Sequence, residues 1–406
     1  MNNKTRVLLI IIVVILLPMT AILQKNIDPQ RAQFLPGKKG VGALMTNVDN
    51  NPVVLPGQFM IGALVGFREV IAGILWVKCD EFFHNGQYET VVPLVRMITW
   101  LDPHQIDVYC TGAWHIGYNF TDSGQRADYR YMPAAIALLK EGIQNNQGIY
   151  DPEQDLGFNL YQLKMYDLPQ CIYWLRKAEA EKDSQYSISR LIAHALEKNG
   201  QLDECERQWR KCLKMADEQL ARNPADAGAR LHKEVSQRNY DEFLVRRTLY
   251  ADLARQPADV HFDAQFKKLS SRVFQITGTA NVPDSTRVRI EILQNGFKLK
   301  ELKGFTWAID QDATYLMENG MHGAMVQKGK FSRKYDLTLD TKQYPFKAEN
   351  YTLKITLDPV DNTGVEARNK LGFTGEGLAD QMYLDTSVKG FRRLQKVIHL
   401  KRSDFI

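Results

Sequence analysis

The stretch from Tyr88 to Phe120, YETVVPLVRMITWLDPHQIDVYCTGAWHIGYNF, crowds histidines, aspartates, a cysteine and two tryptophans into one short segment. Such groups can ligate a metal, relay protons or carry a thiolate, and each chemistry demands its own spacing. Glu81 and His84 form an E-x-x-H, the helical spacing of carboxylate-bridged di-iron centres, which need two such motifs and two further glutamates. A second E-x-x-H is absent from the sequence, as are H-E-x-x-H, a glycine-rich phosphate loop and a G-x-S-x-G elbow. Asp102 and Pro103 read as a helix stop, because the residue before proline is pushed out of the helical region. The sequence therefore predicts no catalytic residue, no metal and no cofactor.

The five cysteines fit the same reading. Their number is odd, no C-x-x-C occurs, and Cys205 and Cys212 stand two helical turns apart, about 10.5 Å and beyond disulfide reach. A free cysteine also serves as a small, mildly apolar packing residue. With 24% charged and 44% hydrophobic residues and a net charge of +5 over 406 residues, the composition is that of an ordinary multi-unit globular chain and gives no footprint for nucleic acid.

The elements that position these residues follow from hydrophobic period. Lys4 and Arg6 precede an uncharged apolar run, Val7 to Leu23, at the lower length limit for a membrane span. It fits an uncleaved anchor or a signal peptide, and the poor cleavage option at Met19 to Ala21 favours the anchor. The expectation is a single-pass membrane protein with an anchor over 1–25. A linker rich in proline, glycine and asparagine over 26–58 follows. The bulk is expected outside the cytoplasm, with a cytoplasmic bulk as the alternative because the basic residues of the linker outnumber those before the run. Phe59 to Val77 is apolar but carries Arg68 and Glu69, which favours a buried or interfacial helix over a second span.

Next comes a recurrence. Cys79 in a helix closed by Gly86, a second helix from Tyr88 and the terminal Pro103 are matched about 34 residues on by Ala113. Cys171 and Ala178 are likewise followed one period later by Cys205 and Cys212, with Gly200 in the role of Gly86. This resembles a tetratricopeptide repeat over roughly Phe67 to Asp217. The third unit is out of register, with Asn159 at the small position, and Thr121 to Arg130 reads as an inserted polar loop. A helical cap is expected beyond, broken at Asn223-Pro224, with Leu220, Leu231, Val235, Phe243, Leu244 and Leu249 turned inward. The repeats with their cap occupy 59–262.

From Arg272 the period becomes two: RVFQITGT, TRVRIEILQ, KFSRKYDLTLD, YTLKITLDP and LQKVIHLKR alternate. An all-β sandwich over 270–406, of immunoglobulin or fibronectin kind, is expected, with Asn362 to Arg392 as an excursion. The whole resembles membrane-anchored, tetratricopeptide-containing bacterial proteins. That resemblance implies an envelope scaffold binding an unidentified protein partner in the concave groove, where each unit would present the first and fifth residues after its small one. Those residues are Asp80 and His84, Trp114 and Tyr118, and His194 and Lys198, with Trp114 the foremost anchor. The alternatives are a sandwich that binds a surface polymer or carbohydrate, and an envelope enzyme without a signature.

Overall fold

A computed structural model describes residues 68–121, 127–302, 304, 310, 312–318, 323–362 and 364–406. The expected anchor and linker lie outside the described residues. Among the described residues no helix is long and apolar enough to cross a membrane. The chain divides into two compact units, with the division after Pro103.

In the first unit, α1 (Arg68–His84) and α2 (Tyr88–Leu101) form an antiparallel pair. Gly86 closes α1 with φ of +72°, its N–H donating to Phe83 O and that of Gln87 to Phe82 O. This is the Schellman arrangement, in which a left-handed residue lets the last carbonyls find donors. The buried Cys79 thiol faces Val91 O at 3.8 Å, where the two helices meet.

The second unit continues the helix pairs. Its first pair is α3 (Ile106–Ala113), prolonged by a π-helical turn over Trp114–Tyr118, with α4 (Met132–Asn145). The next is α5 (Asp151–Gln154), prolonged by a π-helical stretch over Asp155–Met165, with α6 (Leu168–Ala180). Then follow α7 (Tyr186–Lys198), α8 (Leu202–Arg222) and the long α9 (Ala227–Arg255). Gly200 repeats the Schellman closure of Gly86 at φ +71°, with Gln201 N–H donating to Leu196 O. Asp167 and Asp226 cap their helices by accepting from Gln170 N and Ala229 N, as side-chain oxygens at this position do.

The π segments explain why the repeat loses register in its middle. A π turn closes i→i+5 and so carries an extra residue relative to an α turn, which shifts every later position. The small residue of the third pair is accordingly Gly157, whose missing side chain lets Cys171 O and the Leu175 backbone approach, and not Asn159. The two π segments themselves meet at Gly117, where a Cβ would come within 2.7 Å of both Ala135 and Leu160. In α9 the inward face is corrected in part. Phe243 is buried as expected, Leu231 and Leu244 are exposed, and Ala229, His232, Ser236 and Tyr250 are buried.

The antiparallel sheets begin earlier than alternation suggested. Strand β1 (Phe262–Ser270), missed in the sequence because Lys267 and Lys268 end its apolar alternation, pairs with β2 (Val273–Ala280). Then come β3 (Arg287–Gln294), β4 (Tyr315–Glu318), β5 (Ala324–Met325), β6 (Lys330–Asp336), β7 (Asn350–Leu357), helix α10 (Val365–Leu371), β8 (Leu384–Asp385) and β9 (Arg393–Lys401). One sheet has the order β1-β2-β6; the other runs β4-β3-β7-β9-β8, with β5 also on β3. Phe274 and Ile276 of the first sheet and Val288, Ile290, Ile292, Leu353 and Ile355 of the second belong to one apolar core. Phe405, in the last helical turn, closes that core, its ring 4.4 Å from Phe346 and 5.4 Å from Phe274.

Candidate functional site

The site residues expected from the repeat arithmetic fall into three pairs, each set by i,i+4 helical neighbours. In the first unit, exposed Asp80 and His84 contact one another, His84 Nδ1 lying 2.9 Å from Asp80 O and 3.5 Å from its carboxylate. The four remaining residues lie in the second unit. Trp114 and Tyr118 stack with ring centres 4.0 Å apart and planes 6° apart. Lys164 Nζ sits 4.0 Å above the Tyr118 ring. Both aromatics keep part of their surface open to solvent. A partly exposed, pre-stacked aromatic pair with a cation behind it can bury apolar surface on binding at little rotamer cost.

His194 stands edge-on to Trp209, 5.0 Å between centres. Burial first, and then Lys198, Arg246, Arg190 and Arg368, push its imidazole down to about 4. Burial also lowers the Lys198 ammonium, whose electrostatic neighbours include Asp361 and Arg368 from the sheet-bearing half of the chain. This pair therefore faces a segment of its own chain.

That sheet-bearing half meets the helices through buried charge. The end of the segment read as an inserted polar loop is buried: Asp128, Tyr129 and Arg130 are at most 4% exposed. Asp128 bridges Leu316, and Met317 N–H donates to Ala127 O, so the chain adds to the edge strand β4. The Arg130 guanidinium grips Asp128 through Nε at 2.9 Å and Nη2 at 2.8 Å, and its remaining N–H groups donate to Asp310 O, Ala313 O and Lys342 O. All five donors of the fork are thereby used. A second knot forms where Arg289 donates to Asp361 and Asp358 at 2.9 Å while its plane lies 4.6 Å from the Tyr166 ring. Tyr166 takes φ of +55° to present that ring from the end of the π segment, a left-handed conformation that costs a non-glycine residue energy.

The cysteines carry no reactive signature. Burial first, with Asp80 adding for Cys79, raises the thiols of Cys79, Cys171 and Cys212 to about 12, the direction that disfavours the thiolate. Among the described residues no group of three or more histidine, cysteine, aspartate or glutamate side chains is placed to hold a metal ion. A polar trough of about 900 Å³ runs over the β1-β2-β6 sheet, lined among others by Gln265, Gln275, Thr277, Ser332 and Arg333.

Sequence reasoning missed Lys164, Arg190 and Arg368. Lys164 was not legible by register, because it lies in the π-helical stretch where the period is broken, whereas Arg190 stands one turn before His194 on α7. Arg368 was not legible, because its segment has no period that ties it to α7.

No family model matches the chain, and no curated protein matches it. Among solved structures it is similar to a thermophilic TPR protein of Thermus thermophilus, at 17% identity, over 44% of this chain and 90% of that one. The TM-score of 0.29 is too low for that likeness to carry weight.

Proposed function

We propose that this protein is a non-enzymatic, membrane-anchored interaction scaffold of the bacterial envelope, whose tetratricopeptide-like helix pairs dock a protein partner. The observation that carries the reading is the Trp114–Tyr118 stack, held by Lys164 and partly open to solvent. Rigid aromatic pairs of this kind are the usual anchors of an interface. The sheet-bearing half acts as a fibronectin-like buttress. The order β1-β2-β6 against β4-β3-β7-β9 supports that likeness, because it divides seven principal strands as such sandwiches do.

The test is a photo-reactive side chain introduced beside the stack in the full chain, cross-linked in intact cells. Trp114→Ala with Tyr118→Ala is expected to abolish the cross-linked product while far-UV circular dichroism is unchanged, a loss of at least about 2 kcal/mol of binding. The same product from the well-folded double variant moves the partner elsewhere. A reporter fused after Ile406 is expected outside the cytoplasm and in the membrane fraction; a cytoplasmic signal reverses the topology.

A second reading, in which the sandwich binds a surface polymer, is favoured by the hydroxyl- and amide-rich trough over β1-β2-β6. It predicts saturable binding of cell-wall glycans that Gln275→Ala with Ser332→Ala weakens.

A further inference from the structure

Several buried or half-buried charges of the second unit are matched by an opposite charge: Arg246 holds Glu197, Arg289 holds Asp361 and Asp358, and Arg333 holds Glu318. The outer face of the β1-β2-β6 sheet is different. Alternation sends Ala264, Phe274, Ile276, Phe331 and Tyr335 into the core, so the residues between them face outward. The strand register then sets those outward residues in three rows. Lys267, Gln275 and Lys334 form one, Gln265, Thr277 and Ser332 the next, and Asp263, Thr279 and Lys330 the third. The last two rows and Gln275 line the trough of about 900 Å³, as do Arg287 and Gln327. Lys267 and Lys334 flank Gln275 in register.

Two contacts hold polar groups of this face in place. Gln275 Nε2 donates to Ser332 Oγ at 2.9 Å, and Thr279 Oγ1 lies 3.0 Å from His261 Nε2. The acids of the face are engaged: Lys396 donates to Asp263 at 2.6 Å, and Asp336, beside Lys334, accepts from the Thr338 N–H and hydroxyl. The cations are not. The side chains of Lys267, Lys330, Lys334 and Arg287 enter no hydrogen bond or ion pair with a described residue. The exposed Gln265 amide and Thr277 hydroxyl are likewise unengaged within the described chain. Positive charge is therefore in excess over an array of hydroxyls and amides.

Spacing decides what such a face can hold. By the strand rise Lys330 and Lys334 stand about 13 Å apart along β6, and Lys267 stands about 10 Å from Lys334 across two strand spacings. A single small oxyanion spans neither gap, whereas a polymer with repeated charges meets them together. Exposed charges contribute little one at a time, so engaging several at once is what gives affinity. The aromatic ring that lines the trough, Phe331, is only 3% exposed, so nucleic-acid bases would find no ring to stack on. The amides and hydroxyls between the cations can both donate to and accept from the hydroxyls of a sugar.

We infer that the outer face of the β1-β2-β6 sheet binds an acidic polysaccharide, its charged groups meeting Lys267, Lys330, Lys334 and Arg287 and its hydroxyls meeting the amides and hydroxyls between them. The inference rests on the surface-polymer reading of the trough and adds that the polymer is anionic.

The full chain is titrated calorimetrically with oligogalacturonate and with neutral maltodextrin of matched length at low ionic strength. Saturable binding of galacturonate is expected, with maltodextrin at least tenfold weaker. The galacturonate affinity is expected to fall as sodium chloride is raised, because salt screens exposed charges. Lys330→Gln with Lys334→Gln weakens it at least tenfold, Lys330→Arg with Lys334→Arg retains it, and the control Lys214→Gln on α8 leaves it unchanged. Maltodextrin bound as tightly as galacturonate, with no effect of the lysine pair, leaves the surface-polymer reading standing and overturns this inference. Binding of neither sugar overturns both. Polyglutamate or oligodeoxythymidylate bound as tightly as galacturonate, and lost in the same variants, shows a face that reads charge alone and overturns the sugar assignment.

Discussion

Inside the helical stack the contacts are small and apolar: Cys205, Cys212, Ala193 and Ala216 are fully buried, and Gly117 lets two helices almost touch. At the seam between helices and sheets the contacts are made by buried guanidiniums: Arg130, held by Asp128, donates to Asp310 O, Ala313 O and Lys342 O, and Arg289, held by Asp358 and Asp361, lies against the Tyr166 ring. The difference separates two kinds of specificity. Apolar packing rewards any residue of the right volume. A buried ion pair gives little net stability, yet leaving one partner alone is costly.

The largest effect that sharpens this contrast is expected at the seam. Asp128→Ala strands the Arg130 guanidinium, and urea unfolding followed by tryptophan fluorescence is expected to show a loss of about 3–5 kcal/mol. A loss below about 1 kcal/mol would mean that the seam tolerates change as the stack does. Within the stack the costly change is overpacking. Gly117→Val places methyls against Ala135 and Leu160, which leaves no room without a backbone shift, and is expected to cost about 1–3 kcal/mol by the same assay.

Histidine titration offers a subtler probe of the half-buried face of α7. The folded-state value of His194, about 4, lies below its ordinary 6.5. The unfolded chain therefore takes up the proton first, and stability is lost as pH falls from about 6.5 towards 4. The raised carboxyl of Asp155, about 6 because of burial first, acts oppositely and returns stability as pH falls through about 6 towards 4. His194→Gln is expected to remove about 1–3 kcal/mol of the acid-side loss, seen as a flatter dependence of the urea midpoint on pH. An unchanged pH profile would place the imidazole in solvent. The smallest effect is expected at the cysteines. Cys171, Cys205 and Cys212 replaced singly by alanine are expected to cost about 1 kcal/mol each, the loss of one packed sulfur, with binding retained. Loss of binding from a folded variant would give the thiols a function.

Several elements were legible in the residues themselves. Gly86 and Gly200 close helices as their spacing implies, since a left-handed closure depends on local backbone freedom alone. Val288, Ile290 and Ile292 point into the core because the strand period is two, whatever the neighbours. Trp114 and Tyr118 touch because residues four apart on a helix do so.

Other features depended on partners far along the chain. The π segments displaced the small position from Asn159 to Gly157, and nothing within one period announces an added residue per turn. Asp128 and Arg130 look like polar loop residues until Asp310, Ala313 and Lys342 supply the carbonyls that allow them to be buried. Arg368 packs over Phe373, which in turn meets Tyr250 of α9, a pairing that no local period announces. The sequence by itself determined period, helix closure and the small packing residues outside the π segments, all of which follow from interactions between near neighbours. Only the tertiary structure decided which charges are buried and which face one another, because the electrostatic energy of a charge depends on where the rest of the chain places its partners and excludes water.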